Sequence, residues 1–362
     1  MFPYFLAIIL TAVFSDIAQK SRMRELHAFG FMPEKPTSAT NILIFIAMIP
    51  LIFTSGFRYG VGSDFNAYYK ANVVFNGNIW NALIHFKEPG IALIVKIVSF
   101  FTTNGSAYIF VFSFITIVFS VRYITQNTDY YFFAILLFIF TGSWHGSFNG
   151  VRQYLAATML TFSYKYIIEK KFIKYAILVY FASLFHSSAI VMIVLYFLMR
   201  NKVSLLNIVL LSIGTFIVAK NYDLVFGFIG SLKDREMPVE NAYFSNSVNF
   251  LRVLVNCCPA IACIAIFWGK PMSAKETFLL NGLIINGAAM LAAANSTYLS
   301  RIGVYTNYFV PIGLAELIRF KNPQIRTFAR AIILILYFIF WYTDVSIAPA
   351  LNHFQWTWNV PR

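Results

Sequence analysis

The sequence predicts an all-α, polytopic integral membrane protein. Three observations carry that expectation. Of 362 residues, 59% are hydrophobic and only 12% are charged, against about 25% charged in soluble domains. Apolar runs recur along the whole length, and a bilayer-spanning helix needs about 20 such residues. No polar stretch is long enough for a separate soluble domain, so residues 1–362 read as one membrane domain. The net charge of +14 fits the same class. Cytoplasmic loops collect Lys and Arg and face anionic lipid, so no nucleic-acid partner is implied.

The first span covers about residues 2–18. MFPYFLAIILTAVFSDIAQK lacks a basic leader and a small-residue cleavage site, and reads as a retained helix rather than a signal peptide. Lys20, Arg22, Arg24 and Lys35 make the next loop cytoplasmic. A span at about 40–56 emerges outside into GFRYGVGSDFNAYYKANVVF, where Gly60 and Gly62 provide a turn between Arg58 and Asp64. Residues 65–86 mix apolar and polar groups and suit helices lying in the interface. Pro89 fits a helix N1 position, with Glu88 just ahead at the positive end of the dipole. The run from Gly90 to Phe101 gives only about 18 Å of helix, short of about 30 Å of hydrocarbon. It reads as a re-entrant or tilted half-helix.

Spans follow at about 107–123, 130–144 and 151–168, then a cytoplasmic turn holding Lys170, Lys171 and Lys174. Segments 174–185 and 187–199 are each too short to cross. They read as a helical hairpin with His186 near its tip, inside the protein and towards the outer leaflet. Arg200 and Lys202 return to the cytoplasm. A span at 204–219 leads to an outer loop, 220–249, with the polar run KDREMPVE. Spans at about 250–268, 277–294, 302–318 and 328–343 precede an outer tail, 344–362, whose Phe354, Trp356 and Trp358 suit an interfacial belt. With the two arms of the hairpin counted, the ten spans make about twelve transmembrane helices, plus the half-helix. Both termini lie outside, with outer-face segments at 57–89, 145–150, 220–249 and 344–362. Counting the half-helix as a full span would turn Lys170 and Lys171 outwards, against the positive-inside rule.

Polar groups gather on the outer side. The cations are Arg58, Arg152, Arg252 and Arg301; the acid/base candidates are Asp64, Glu88, His145 and His186. Each sits at the outer end of a span or at a break within one. Ionisable groups within a membrane are costly and mark functional sites by default. Arginine presents a planar fork that binds phosphate bidentately and keeps its charge. Several converging in a low-dielectric cavity imply a polyanionic ligand, and in a membrane that is a lipid phosphate or pyrophosphate. Structural readings compete: Arg152 snorkelling to headgroups, Arg58 pairing with Asp64 to staple a loop, Arg252 anchoring its helix, His186 as a satisfied core histidine, His145 as a belt residue beside Trp144.

Other chemistries leave no motif. There is no GxxxxGK[ST] or GxGxxG for a nucleotide, no HExxH or CxxC for a metal, no GxSxG nucleophile and no DxD pair. Cys257, Cys258 and Cys263 share one apolar segment and suggest neither a disulfide framework nor a metal site. No cofactor is expected. Any glycosyl donor must then carry a lipid-linked leaving group, with arginines stabilising the departing pyrophosphate in place of a metal.

Several pieces resemble the EpsG-type branch of the Wzy polysaccharide polymerases: FRYGVGSDFNAYY (57–69), KEPGIALIVKIVSFF (87–101), FNGVRQYLAATMLTFSYKYI (148–167), KFIKYAILVYFASLFHSSAIV (171–191), SVNFLRVLVNCCPA (247–260) and SRIGVYTNYFVP (300–311). The resemblance covers nearly the whole chain and carries the R-x₃-G-x-D, E-P-G, N-x-x-R-Q, F-H-x-S and R-I-x-x-Y patterns in order. It implies an enzyme of the bacterial cytoplasmic (inner) membrane with its active site on the outer side. That enzyme joins polyprenyl-pyrophosphate-linked oligosaccharide repeats into O-antigen, capsule or exopolysaccharide. The implied partners are that lipid-linked oligosaccharide, membrane lipid and a chain-length regulator protein.

On this reading the chain is a metal-independent glycosyltransferase. Arg152, Arg252 and Arg301 hold the donor pyrophosphate, while Arg58 holds acceptor phosphate or orders the loop carrying Asp64. Tyr68, Tyr69 and Trp80 stack on sugar rings, with Asn149 and Gln153 as further sugar contacts. His186 ranks first as base because a histidine at a helix break inside the fold is suited to proton transfer near neutral pH. Asp64 ranks second, held ionised by Arg58, and Glu88 third, held ionised by the helix dipole. Rival readings are a polysaccharide ligase using the same donor, a flippase for the lipid-linked unit, and a membrane acyltransferase using His186. Against the flippase, the chain shows no duplicated halves with paired broken helices.

Overall fold

A computed structural model describes residues 1–29, 35–70, 78–86, 88–200, 204–221, 248–296, 299–318, 320 and 322–359. Most of the expected outer loop 220–249, including KDREMPVE, lies outside the described residues. So do 71–77 of the expected interfacial segment, and Lys202 of an expected cytoplasmic turn.

The chain folds as an all-α membrane protein. In order come α1 (Phe2–Phe29), α2 (Ser38–Gly56), β1 (Arg58–Tyr59), α3 (Phe65–Tyr69), α4 (Ile79–Phe86), α5 (Pro89–Ser99), α6 (Gly105–Asn127), α7 (Tyr131–Phe140), α8 (Ser143–Asn149), α9 (Val151–Thr161), α10 (Lys165–Ile168) and α11 (Phe172–Ser183). A 3₁₀ helix (Ser187–Val194) runs into α12 (Leu195–Leu198). Then follow α13 (Leu205–Lys220), α14 (Phe250–Phe267), α15 (Ala274–Ala292), a 3₁₀ turn (Leu299–Ile302), α16 (Gly303–Thr306), α17 (Phe309–Leu317), α18 (Pro323–Ile347), α19 (Pro349–Asn352) and β2 (Gln355–Trp356). Among the described residues, 6 segments are long and apolar enough to cross a membrane: Phe2–Glu25, Ser38–Gly56, Gly105–Asn127, Tyr131–Asn149, Phe250–Phe267 and Pro323–Ile347. Shorter apolar helices stand at Pro89–Ser99, Phe172–Ser183, Ser187–Leu198 and Asn207–Ile217.

Local chemistry sets the boundaries. Asn104, Asn249 and Asn322 accept backbone N–H bonds at helix starts, and Ser273 forms a capping box with Glu276. α5 opens on Pro89 and runs to Ser99, so the expected half-helix is a short helix. α11 and the following 3₁₀ helix pack as a hairpin broken at His186. The expected span 130–144 instead bends at Gly142, whose φ of 84° is left-handed, and resumes as α8. The expected span 151–168 breaks after Thr161. Thr158, Thr161 and Ser163 each donate to the carbonyl three residues back, competing with the helix ladder.

Two polar ends result. At one, Arg22 pairs with Glu25 and Asp129 at 2.8 Å, Lys275 reaches Glu316, and the Arg330 guanidinium lies 3.7 Å from the Tyr130 ring centre. At the other, the tail returns to the turn that follows α2. β2 pairs antiparallel with β1, Arg58 opposite Trp356. Trp356 stacks on Trp358 at 4.7 Å, and Phe53 packs against both. The aromatic tail thus packs on the turn carrying Arg58. On α18, Ile325, Phe328, Ile332, Ile335, Leu336 and Ile339 stay exposed, a face suited to hydrocarbon.

Candidate active site

Glu88 is the junction of the site. Its side chain is 5% exposed. Oε2 accepts from Arg152 Nη1 at 2.8 Å; Oε1 accepts from His186 Nδ1 at 2.7 Å and from the Ser187 amide at 3.1 Å. Three separate elements meet there: the start of α5, the start of α9 and the break between α11 and the 3₁₀ helix. The E-P-G sequence explains how. Pro89 begins the helix, freeing Glu88 to point away from it. Gly90 donates its N–H to Leu184 O at 2.9 Å. A Cβ on Gly90 would stand 2.8 Å from the Phe185 ring, so only glycine lets the two breaks press together.

A carboxylate can only accept, so the His186 nitrogen facing Glu88 carries a proton. In the neutral ring the lone pair is then on Nε2, the arrangement by which a carboxylate orients a histidine base. Burial raises the Glu88 pKa, but the His186 hydrogen bond and the Arg152 charge outweigh it and hold the carboxyl below its ordinary range. Glu88 therefore stays ionised.

The remaining motifs close a circuit around this junction. Gln153 donates to Arg301 O at 2.7 Å, and Tyr305 OH meets Ser188 Oγ at 2.8 Å. The Ser63 amide donates to Asn149 Oδ1 at 2.9 Å, docking the Gly60–Asp64 turn on the α8–α9 junction. Asp64 lies in the field of Arg301 and Arg152. Burial nevertheless raises its pKa, outweighing both arginines, so it is a stronger base than an ordinary carboxylate. The expected Asp64–Arg58 pairing is replaced. Arg58 is 1% exposed and donates to Val61 O at 3.0 Å, to Ser55 O and to Ser113 Oγ at 3.1 Å, with Phe148 beneath its guanidinium at 4.4 Å. Those bonds order the turn from inside it.

Beside the junction lies a cavity of about 320 Å³ whose wall includes Asn149, Gln153, Arg252, Arg301, Asn307 and Asp344. Arg252 Nη2 reaches both oxygens of Asp344, at 2.6 and 2.7 Å. Asp344 escaped the sequence reading because α18 runs on to Ile347, a turn beyond the expected end at residue 343. His145 also lines the cavity and is not a belt residue. It is 1% exposed, its Nδ1 accepts from Trp341 Nε1 at 3.0 Å, and Tyr4 packs edge-on against it.

The expected sugar platform divides. Tyr68 is buried within hydrogen-bonding reach of Arg152. Tyr69 stacks on Phe65 at 5.1 Å and packs against Tyr59. Trp80, on α4, is 69% exposed. None of the three, Tyr68, Tyr69 or Trp80, is part of the cavity wall.

The model of the EpsG family matches residues 41–357, most of the chain and all of these motifs. The chain belongs to the EpsG family. No curated protein and no solved structure matches it. Membership supports a polysaccharide polymerase-like membrane protein of glycosyltransferase type.

Proposed function

We propose that this EpsG-family protein polymerises polyprenyl-pyrophosphate-linked oligosaccharide repeats at the outer face of the bacterial cytoplasmic membrane, without a metal. The observation that carries the reading is the Glu88–His186–Arg152 junction beside a cavity walled by Arg252 and Arg301. His186 is the base and Glu88 its orienting partner rather than a rival to it. Asp64, with its raised pKa, is the second candidate for the same proton. The acceptor hydroxyl oxygen bonds to the donor's anomeric carbon. The bond from that carbon to the pyrophosphate oxygen breaks, the pyrophosphate leaves on its lipid, and the hydroxyl proton passes to His186 Nε2.

Arg301 and Arg252 stabilise the charge that develops on the leaving pyrophosphate. Arg152 is held by Glu88 and faces the reacting region from the other side. Arg58 takes the loop-ordering role of its two expected ones. Asn149, Gln153 and Tyr68 remain candidate sugar contacts at the junction. The count of about twelve transmembrane helices in this scheme includes the two arms of the hairpin broken at His186, which enter the bilayer and return to the same side. The basic turn at Lys170–Lys174 and the site then lie on opposite sides. A chain-length regulator is a partner in this scheme. The decisive experiment incubates purified protein with lipid-linked repeat. A ladder of product lengths supports polymerisation; a single transfer to a foreign acceptor indicates a ligase; no new bond indicates a transporter.

A further inference from the structure

A second cavity, about 640 Å³, opens on the flank of the bundle between α12, α13 and α15. Its wall on α15 is one helical stripe: Asn281, Ile284, Ile285, Ala288, Ala289 and Ala292. The spacing i, i+3, i+4, i+7, i+8, i+11 keeps these on one face and runs for about 16 Å. Small residues make the room. Ala288, Ala289 and Ala292 face the side of α13 that carries Gly214, where an added Cβ would meet nothing within 4 Å. At one end Asn281 Nδ2 donates to Met199 O at 3.1 Å, tying α15 to the end of α12. At the other end the wall is Ile302. Its neighbours Arg301 and Gly303 line the polar cavity, as does Met290 of α15. The apolar groove and the arginine cavity therefore meet at the turn Leu299–Ile302.

We infer that this groove holds the hydrocarbon tail of the donor lipid whose pyrophosphate sits at Arg301. The inference rests on the proposed function and adds a tail subsite to it. Its warrant is continuity: an amphiphile with an anionic head at Arg301 has this apolar channel directly beside the head. In a bilayer the tail is already out of water, so the groove contributes packing and register rather than hydrophobic gain. Its effect falls on which tails are accepted and where the head is held, not on whether the protein meets lipid at all.

The test compares two donors carrying the same oligosaccharide pyrophosphate, one on a long polyprenyl tail and one on a short citronellyl tail. Ala288→Phe and Gly214→Leu narrow the groove and touch no residue of the junction. In each, kcat/KM for the long-tailed donor should fall about tenfold, the scale of discrimination in apolar pockets, while the short-tailed donor reacts within about twofold of wild type. In parallel, a donor with a photoreactive group in its tail should label wild-type peptides from 207–215 and 284–292. Equal losses with both donors, or unchanged rates with the long one, overturn the inference, the latter making the occupant ordinary bilayer lipid. Labelling elsewhere overturns it even if the variants fail to fold. A wild type that forms no bond from either donor, yet labels at those peptides, sinks the polymerase reading and leaves the tail site standing.

Discussion

Replacing Glu88 with Gln tests the junction most directly. The carboxylate takes three hydrogen bonds, from Arg152, His186 and the Ser187 amide, at 2.8, 2.7 and 3.1 Å. Glutamine keeps the size but has one acceptor oxygen and an amide that only donates. If the oxygen stays with His186 and Ser187, the amide faces the Arg152 guanidinium, donor against donor. If the amide turns to His186, it donates to Nδ1 and moves the ring proton to Nε2, the wrong tautomer for a base. Hydrogen bonds to charged groups contribute about 1.5–3 kcal/mol each. The Arg152 side chain is 34% exposed and His186 20%, so water compensates part of the loss. The stability cost should therefore sit near the low end, about 1–2 kcal/mol.

The catalytic cost is larger. A positioned base contributes about 10²–10⁴-fold, or about 3–5 kcal/mol of barrier at 1.36 kcal/mol per decade. Single-turnover kinetics on purified Glu88→Gln in nanodiscs should show that loss in the chemical step, with KM changed little. The thermal melt should shift modestly. It should also depend on pH in one direction. Glu88 is held below its ordinary value of 4.5, so its stabilising contribution is complete above pH 4.5 and drains away as pH falls through the folded value. The melting gap between wild type and Glu88→Gln should persist at neutral pH and close in acid below pH 4.5. A chemical step within about fivefold of wild type in Glu88→Gln, well below the expected effect of a base, would refute the orienting role.

Other substitutions separate the roles of the charged groups. Arg152→Lys keeps a cation for Glu88 but loses the fork, so polymer length should fall about tenfold or more by gel ladder, at normal protein level, and collapse in Arg152→Ala. Asp64→Asn removes a carboxyl whose raised pKa means that ionising it costs the folded state some stability above the ordinary carboxylate range. Its melting temperature should not drop, and a lost chemical step in that variant would move the base from His186 to Asp64. Arg58→Met strands three buried oxygens, at about 1–3 kcal/mol each. The melting temperature should fall sharply while lipid-linked donor still binds below it. Loss of donor binding at an intact fold would make Arg58 a phosphate ligand.

What was legible in the sequence was local. The short helix at Pro89–Ser99 was readable because a proline start and a limited apolar run depend on neighbouring residues alone. The break at His186 was readable because a polar residue interrupts an apolar run. Pairing was not readable. Arg152 and His186 stand 64 and 98 positions from Glu88, and no local rule selects those partners from the other charges on the same face. The signal was the glycine after Glu-Pro, which has no helical reason to be there and turns out to admit the Phe185 ring. The pairings also change the electrostatic argument. The sequence offered four arginines awaiting an anion. In the fold, Arg58 is saturated by backbone and hydroxyl oxygens, Arg152 is matched by Glu88 and Arg252 by Asp344. A pyrophosphate entering the cavity would therefore compete with Asp344 for Arg252. Its affinity there is the difference between two anion pairings, not the full strength of one. Under the proposed function, a site built on such a difference would release its lipid pyrophosphate after each transfer, as a polymerase must before accepting the next chain.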